Sequence, residues 1–147
     1  MKTPTAVLLI TFGAAIAFIP FSAAIAPRDG QAVLQPLEVA KIFAFGGVGF
    51  AGTPSQEELA FKSILALPSD TAKQRLERLY ASGNPQAMSY ALAGMRKLDR
   101  KRYAELIVSA RTSDASVHTM SGCIMRNEKL REIANEIDSG AYDSWLR

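Results

Sequence analysis

The sequence predicts a small all-α domain, and three features of it carry that expectation. From Thr53 to Ala110, apolar residues recur at helical spacing in successive windows, each with its own start and stop residues. The connections between these windows are short, which favours antiparallel packing of consecutive helices. The chain has 147 residues, 48% of them apolar, which is the size of one domain with enough apolar material for a core.

The first helix is expected over Pro54–Leu67. Thr53-Pro54-Ser55-Gln56 reads as a capping box: the threonine hydroxyl accepts from a free backbone N–H, proline stands at the first helical position, and Gln56 reaches back. Leu59, Ala60, Phe61, Ile64 and Leu65 form one broad face, and Pro68 stops the helix. The second is expected over Asp70–Ser82, burying Ala72, Leu76, Leu79 and Tyr80 opposite a solvated face of Lys73, Arg75, Glu77 and Arg78. Gly83 ends it.

Asn84 opens the third helix, Pro85–Leu98, whose Ala91, Ala93 and Gly94 let neighbouring elements come close. Asp99 caps the fourth, Arg100–Ala110, which offers Tyr103, Leu106, Ile107 and Ala110. After Arg111 the pattern changes, and Val117–Met125 is extended in character. Asn127 is expected to cap a last helix, Glu128–Ser139, with Leu130, Ile133, Ala134 and Ile137 buried and Gly140 as its left-handed end. The Trp145-Leu146 pair near the C-terminus is expected to dock on its own domain.

Two helical hairpins in series resemble the helical-pair solenoids of the HEAT class. Such solenoids need about three repeats to bury a continuous core. The segment before Thr53 and the last helix are therefore expected to act as caps. That earlier segment is apolar and glycine-rich from Val39 to Phe50, and is expected to be an irregular buried loop.

The first stretch reads as a targeting segment. Ala6–Ala26 carries no charge behind Lys2, and Ser22-Ala23-Ala24 offers the small residues of a cleavage site. The domain reading is a signal peptide over 1–24, a linker and glycine-rich segment over 25–52, and a helical domain over 53–147. It implies an exported protein, periplasmic or extracellular. The alternative is an uncleaved anchor, since about 20 apolar residues span a bilayer.

Three stretches carry a resemblance: Phe45-Gly46-Gly47-Val48-Gly49-Phe50-Ala51-Gly52, Ser89-Tyr90-Ala91-Leu92-Ala93-Gly94-Met95 and Met120-Ser121-Gly122-Cys123-Ile124. On these the chain resembles a group of small exported bacterial proteins. The resemblance implies export and brings no catalytic role with it.

Composition narrows the chemistry. A formal net charge of +3 is too small to imply a polyanionic partner over the whole surface. With one cysteine and one histidine, a closed four-ligand Cys/His zinc site is not expected, nor any intramolecular disulfide. Gly47-Val48-Gly49-Phe50-Ala51-Gly52 fits G-x-G-x-x-G, but the helices that follow lack the parallel sheet a dinucleotide site requires. It is read as a tight apolar turn, and no cofactor is expected. The pairs Glu57-Glu58 and Glu128/Glu132 show no reason for burial, so no acid/base constellation is assigned.

Arg96-Lys97-Leu98-Asp99-Arg100-Lys101-Arg102 is the candidate binding site. Arg96 and Lys97 end a helix, where cations favour the dipole, whereas Arg100, Lys101 and Arg102 open one, where they oppose it. A partner protein or an anionic membrane surface would account for that local cost. No aromatic residue interleaves the run, so a stacking nucleic-acid platform is not expected. The expected function is a noncatalytic interaction module. The rival is a small exported enzyme or redox protein using Cys123 with His118, a thiolate beside an imidazolium. The apolar neighbours Ile124 and Met125 favour instead a buried, structural Cys123.

Overall fold

A computed structural model describes residues 35–146. The expected leader over 1–24 lies outside these residues, as does the start of the 25–52 segment. The fold is mixed α/β, which corrects the all-α expectation and the HEAT-like reading with it. A one-turn helix α1 (Gln35–Glu38) precedes strands β1 (Gly47–Val48) and β2 (Thr53–Pro54). Helices α2 (Gln56–Leu65), α3 (Ser69–Ala81), α4 (Pro85–Leu98) and α5 (Arg100–Ala110) follow in series. A β-hairpin of β3 (Ser116–Ser121) and β4 (Ile124–Lys129) then leads into α6 (Leu130–Ser139).

Helix α4 is the centre of the molecule. Its Tyr90, Ala91, Leu92, Ala93 and Met95 are fully buried, and α3, α5 and α6 all pack on it. A helix covered on every side is apolar all round, and α4 reads that way from Ala87 to Met95. Its start and stop match the sequence: Asn84 Oδ1 accepts from the N–H of Gln86 and Ala87. Asp99 is at once the last cap of α4 and the first of α5, its Oδ1 accepting from Arg102 N–H at 3.0 Å. One residue thus turns the chain between two helices.

The first long helix departs from expectation. It begins at Gln56, and its cap is Ser55, whose Oγ accepts from Glu58 N–H at 3.0 Å. Thr53 and Pro54 are spent on β2, paired to Gly47 and Val48. The glycine-rich segment is therefore a small hairpin rather than a buried irregular loop, and Phe50 at its tip is fully exposed. The buried apolar residues of this region are Ala40, Phe43 and Ala44, upstream of the glycines. Phe43 stacks edge-on against Tyr90 with ring centroids 4.9 Å apart, and Phe45, Phe61 and Tyr142 complete the aromatic cluster.

The second hairpin is the feature that the all-α reading lacks. Residues 116–121 pair antiparallel with 124–129 in register, His118 opposite Asn127, around a two-residue turn with Gly122 at φ +55°. A positive φ at the first turn residue suits glycine and matches the twist of the flanking strands. Glu128 and Lys129 belong to β4, so α6 begins two residues later than expected and Asn127 caps nothing. Lys129 N–H is instead satisfied by Glu132 Oε2 at 2.8 Å. Beyond β3 the sheet continues irregularly: Phe43 bridges Thr119 and Val48 bridges Gly122, both in parallel sense.

Candidate functional site

The five bases at the α4–α5 junction have separate surroundings. Arg96 is only 8% exposed. Its Nη1 pairs with the Asp143 carboxylate and its Nη2 donates to the Asp138 carbonyl at 3.3 Å. Lys97 Nζ donates to the Leu146 carbonyl. The two bases ending α4 thus hold the C-terminal segment against the helix, with Leu146 buried beside them. Arg102 ties α5 to α3: its Nε donates to Glu77 at 2.8 Å and its Nη1 to Glu105 at 2.6 Å. Those two carboxylate bonds hold its guanidinium pKa above the usual value.

Arg100 and Lys101 differ from the other three. Both side chains are exposed, as Lys97 is, but neither makes a side-chain hydrogen bond or an ion pair among the described residues. They occupy the first two positions of α5, where unpaired N–H groups and the helix dipole already place positive charge. Asp99 offsets part of this as the cap. A cleft of about 320 Å³ opens at this corner, lined by Arg96, Lys97, Arg100, Asp143 and Leu146. Three bases and one carboxylate leave its lining net positive. The site is thus a cationic recess that Arg100 helps to line, with the exposed Lys101 next to it in sequence.

Behind it lies a polar network that fixes the recess. Tyr103 Oη donates to Asp138 Oδ1 at 3.0 Å, and Arg111 Nη2 donates to Asp138 Oδ2. Burial, and then the bond to Asp138, push the Tyr103 phenol pKa well up. The Asp138 carboxylate on α6 therefore joins Tyr103 of α5 and Arg111 at its C-terminal cap, while the Asp138 backbone carbonyl receives Arg96 of α4.

His118 and Cys123 are not brought together. His118 is exposed on β3, and Cys123 is exposed at the turn beyond Ser121. Three rungs of ladder, roughly 10 Å of strand, separate His118 from Ser121, where the turn begins. The expectation of a buried Cys123 is corrected as well, because the hairpin turn places it at the surface. Gly47, Gly49 and Gly52 form the small antiparallel hairpin, and the next helix begins only at Gln56, so no helix N-terminus stands at Gly52 for a pyrophosphate.

Glu58, not expected to be buried, is 1% exposed. Its Oε2 accepts from Gly46 N–H at 2.8 Å, and Lys62 Nζ lies 2.7 Å from Oε1 in an ion pair without hydrogen-bond alignment. Ser55 three residues before it was the available signal, since serine followed by glutamate at that spacing marks a helix start. Glu128, likewise, sits half-buried on β4 rather than on the exposed side of a helix.

Among the described residues, no three His, Cys, Asp or Glu side chains gather as a metal site, and no helix is long and apolar enough to cross a membrane. Comparison with protein-family models, with curated proteins and with solved structures gives no match.

Proposed function

We propose that the chain is an exported, noncatalytic interaction module, and that Arg100 and Lys101, beside the recess of Arg96 and Lys97, engage an anionic group on a partner protein or membrane surface. The observation that carries this reading is the contrast within one run of bases. Arg96, Lys97 and Arg102 are each given a partner inside the molecule. Arg100 and Lys101 are left exposed at the helix end that favours negative charge least opposed, that is, where acids rather than bases are stabilising. A cost to stability at an exposed position, offset only in part by Asp99, is what a binding residue leaves behind.

The test is the double reversal Arg100→Glu/Lys101→Glu in the full chain. Binding is measured by co-sedimentation with vesicles of anionic or zwitterionic phospholipid, and by titration with an acidic peptide. The wild type should bind anionic vesicles or the acidic peptide, more weakly as salt rises. The variant should lose that binding while its melting temperature holds or increases. Wild-type protein that binds neither probe, or a variant that binds as well as the wild type, would remove the proposal.

A further inference from the structure

The outer edge of β4 carries its own pattern of bonding groups, and that pattern is set by the residues on the other side of the hairpin. Phe43 N–H donates to the His118 carbonyl at 2.7 Å, and Met120 N–H donates to the Phe43 carbonyl at 3.4 Å. The backbone groups of His118 and Met120 therefore point away from β4. In an antiparallel ladder, opposed residues turn the same way relative to the pair: both inward or both outward. Asn127 opposes His118 and Met125 opposes Met120. The N–H and C=O of Met125 and Asn127 thus point outward from β4, and no other segment among the described residues takes them. Asn127 is exposed, and Met125 is 61% exposed.

The side chains along this edge are complementary to themselves. Turned end for end about Asn127, the run Met125-Arg126-Asn127-Glu128-Lys129 sets Arg126 opposite Glu128 and Glu128 opposite Arg126. Asn127 then meets Asn127, with its outward N–H and C=O facing the same two groups of the second copy. Neither Arg126 nor Glu128 makes an ion pair within the chain among the described residues. Opposite charges directly across an antiparallel pair attract, and like charges there repel.

We propose that β4 is the seam of a two-fold homodimer, in which the β4 edges of two copies pair antiparallel about Asn127. Hydrogen-bond phase and charge register agree on the same axis. Exposed edges often carry charge against such pairing, and β4 has Arg126, Glu128 and Lys129; the register about Asn127 sets two of these, Arg126 and Glu128, as opposite-charge pairs. The inference is independent of the proposed anionic contact at the α4–α5 corner.

Sedimentation velocity of the full chain under reducing conditions, over a rising concentration series, is the first measurement; a reversible monomer–dimer equilibrium is expected. Arg126→Glu and Glu128→Arg should each sediment as monomers, since each places two like-charged pairs across the seam. Mixed in equal amounts, the two variants should restore the dimer as a heterodimer, because every cross-strand pair is then opposite in sign. Asn127→Pro should be monomeric yet folded, its lost N–H being one that β3 does not use. A wild type that stays monomeric throughout, or single reversals that leave the dimer unchanged, would overturn the proposal. So would a mixture that fails to pair.

Discussion

Glu58 accepts the backbone N–H of Gly46 through Oε2 at 2.8 Å, so that the first turn of α2 holds the glycine-rich segment in place. Gly46 is buried and takes φ +84°, and the Trp145 ring lies against it; an added Cβ would stand 2.7 Å from that ring. Helix start, glycine and C-terminal tryptophan therefore form one contact. Replacing Glu58 by alanine leaves a buried N–H without an acceptor, and a destabilisation of about 1–3 kcal/mol is expected. Glu58→Gln keeps a side-chain oxygen and should retain most of it. Urea unfolding followed by Trp145 fluorescence checks both, and equal stability of all three proteins would contradict the assignment.

Gly94 is the point where α4 admits its neighbours. A Cβ there would meet Leu76 Cδ1 at 2.7 Å and Phe61 Cε2 at 3.1 Å. Alanine is the better helix former by about 1 kcal/mol, but overpacking costs about 1–3 kcal/mol. A lower melting temperature is expected for Gly94→Ala. Combining it with Leu76→Ala should cost less than the two separate losses added together, since the shortened side chain vacates the space. Simple additivity would show that Leu76 is not the obstacle.

Three tyrosines give the fold an alkaline limit. Burial raises the phenol pKa of Tyr90, opposed in part by its bond with the Ala44 backbone. Burial and then a carboxylate partner raise those of Tyr103, beside Asp138, and Tyr142, beside Glu136. Each folded-state pKa stands above the unfolded value of about 10. The unfolded chain therefore loses these protons first, so the stabilisation is complete below a pH of about 10 and falls away as pH rises beyond it. Denaturation midpoints should decline across that range while phenolate absorbance rises. Tyr103→Phe should flatten the decline, and an unchanged slope would assign it to other groups.

The helices were legible in the sequence because their signals are local. Asn84 and Asp99 cap the helices they precede in sequence, and the periodicity of Leu76, Leu79 and Ala72 needs no distant partner to be read. The cationic run was legible too, but not its division into bases with internal partners and bases without. Asp143 and the Leu146 carbonyl approach Arg96 and Lys97 only once α6 has folded back. The β3–β4 hairpin is harder to see, since its exposed face mixes His118, Met125 and Asn127 in no clean alternation. At the first helix, Thr53 and Ser55 both offer a cap, and the choice fell to Ser55 because β1 claims Thr53.

The parallel bridges from Phe43 to Thr119 and from Val48 to Gly122 join stretches separated by four helices. Such contacts reward the chain only after a long loop has closed, whereas each helical turn forms among near neighbours. Loop closure therefore favours an order in which α2 to α5 gather before the two hairpins meet. Because Phe43 lies in the same aromatic cluster as Tyr90 and Tyr142, that last step also completes the core. The clasp between the hairpins is thus a junction that local helix formation cannot make by itself.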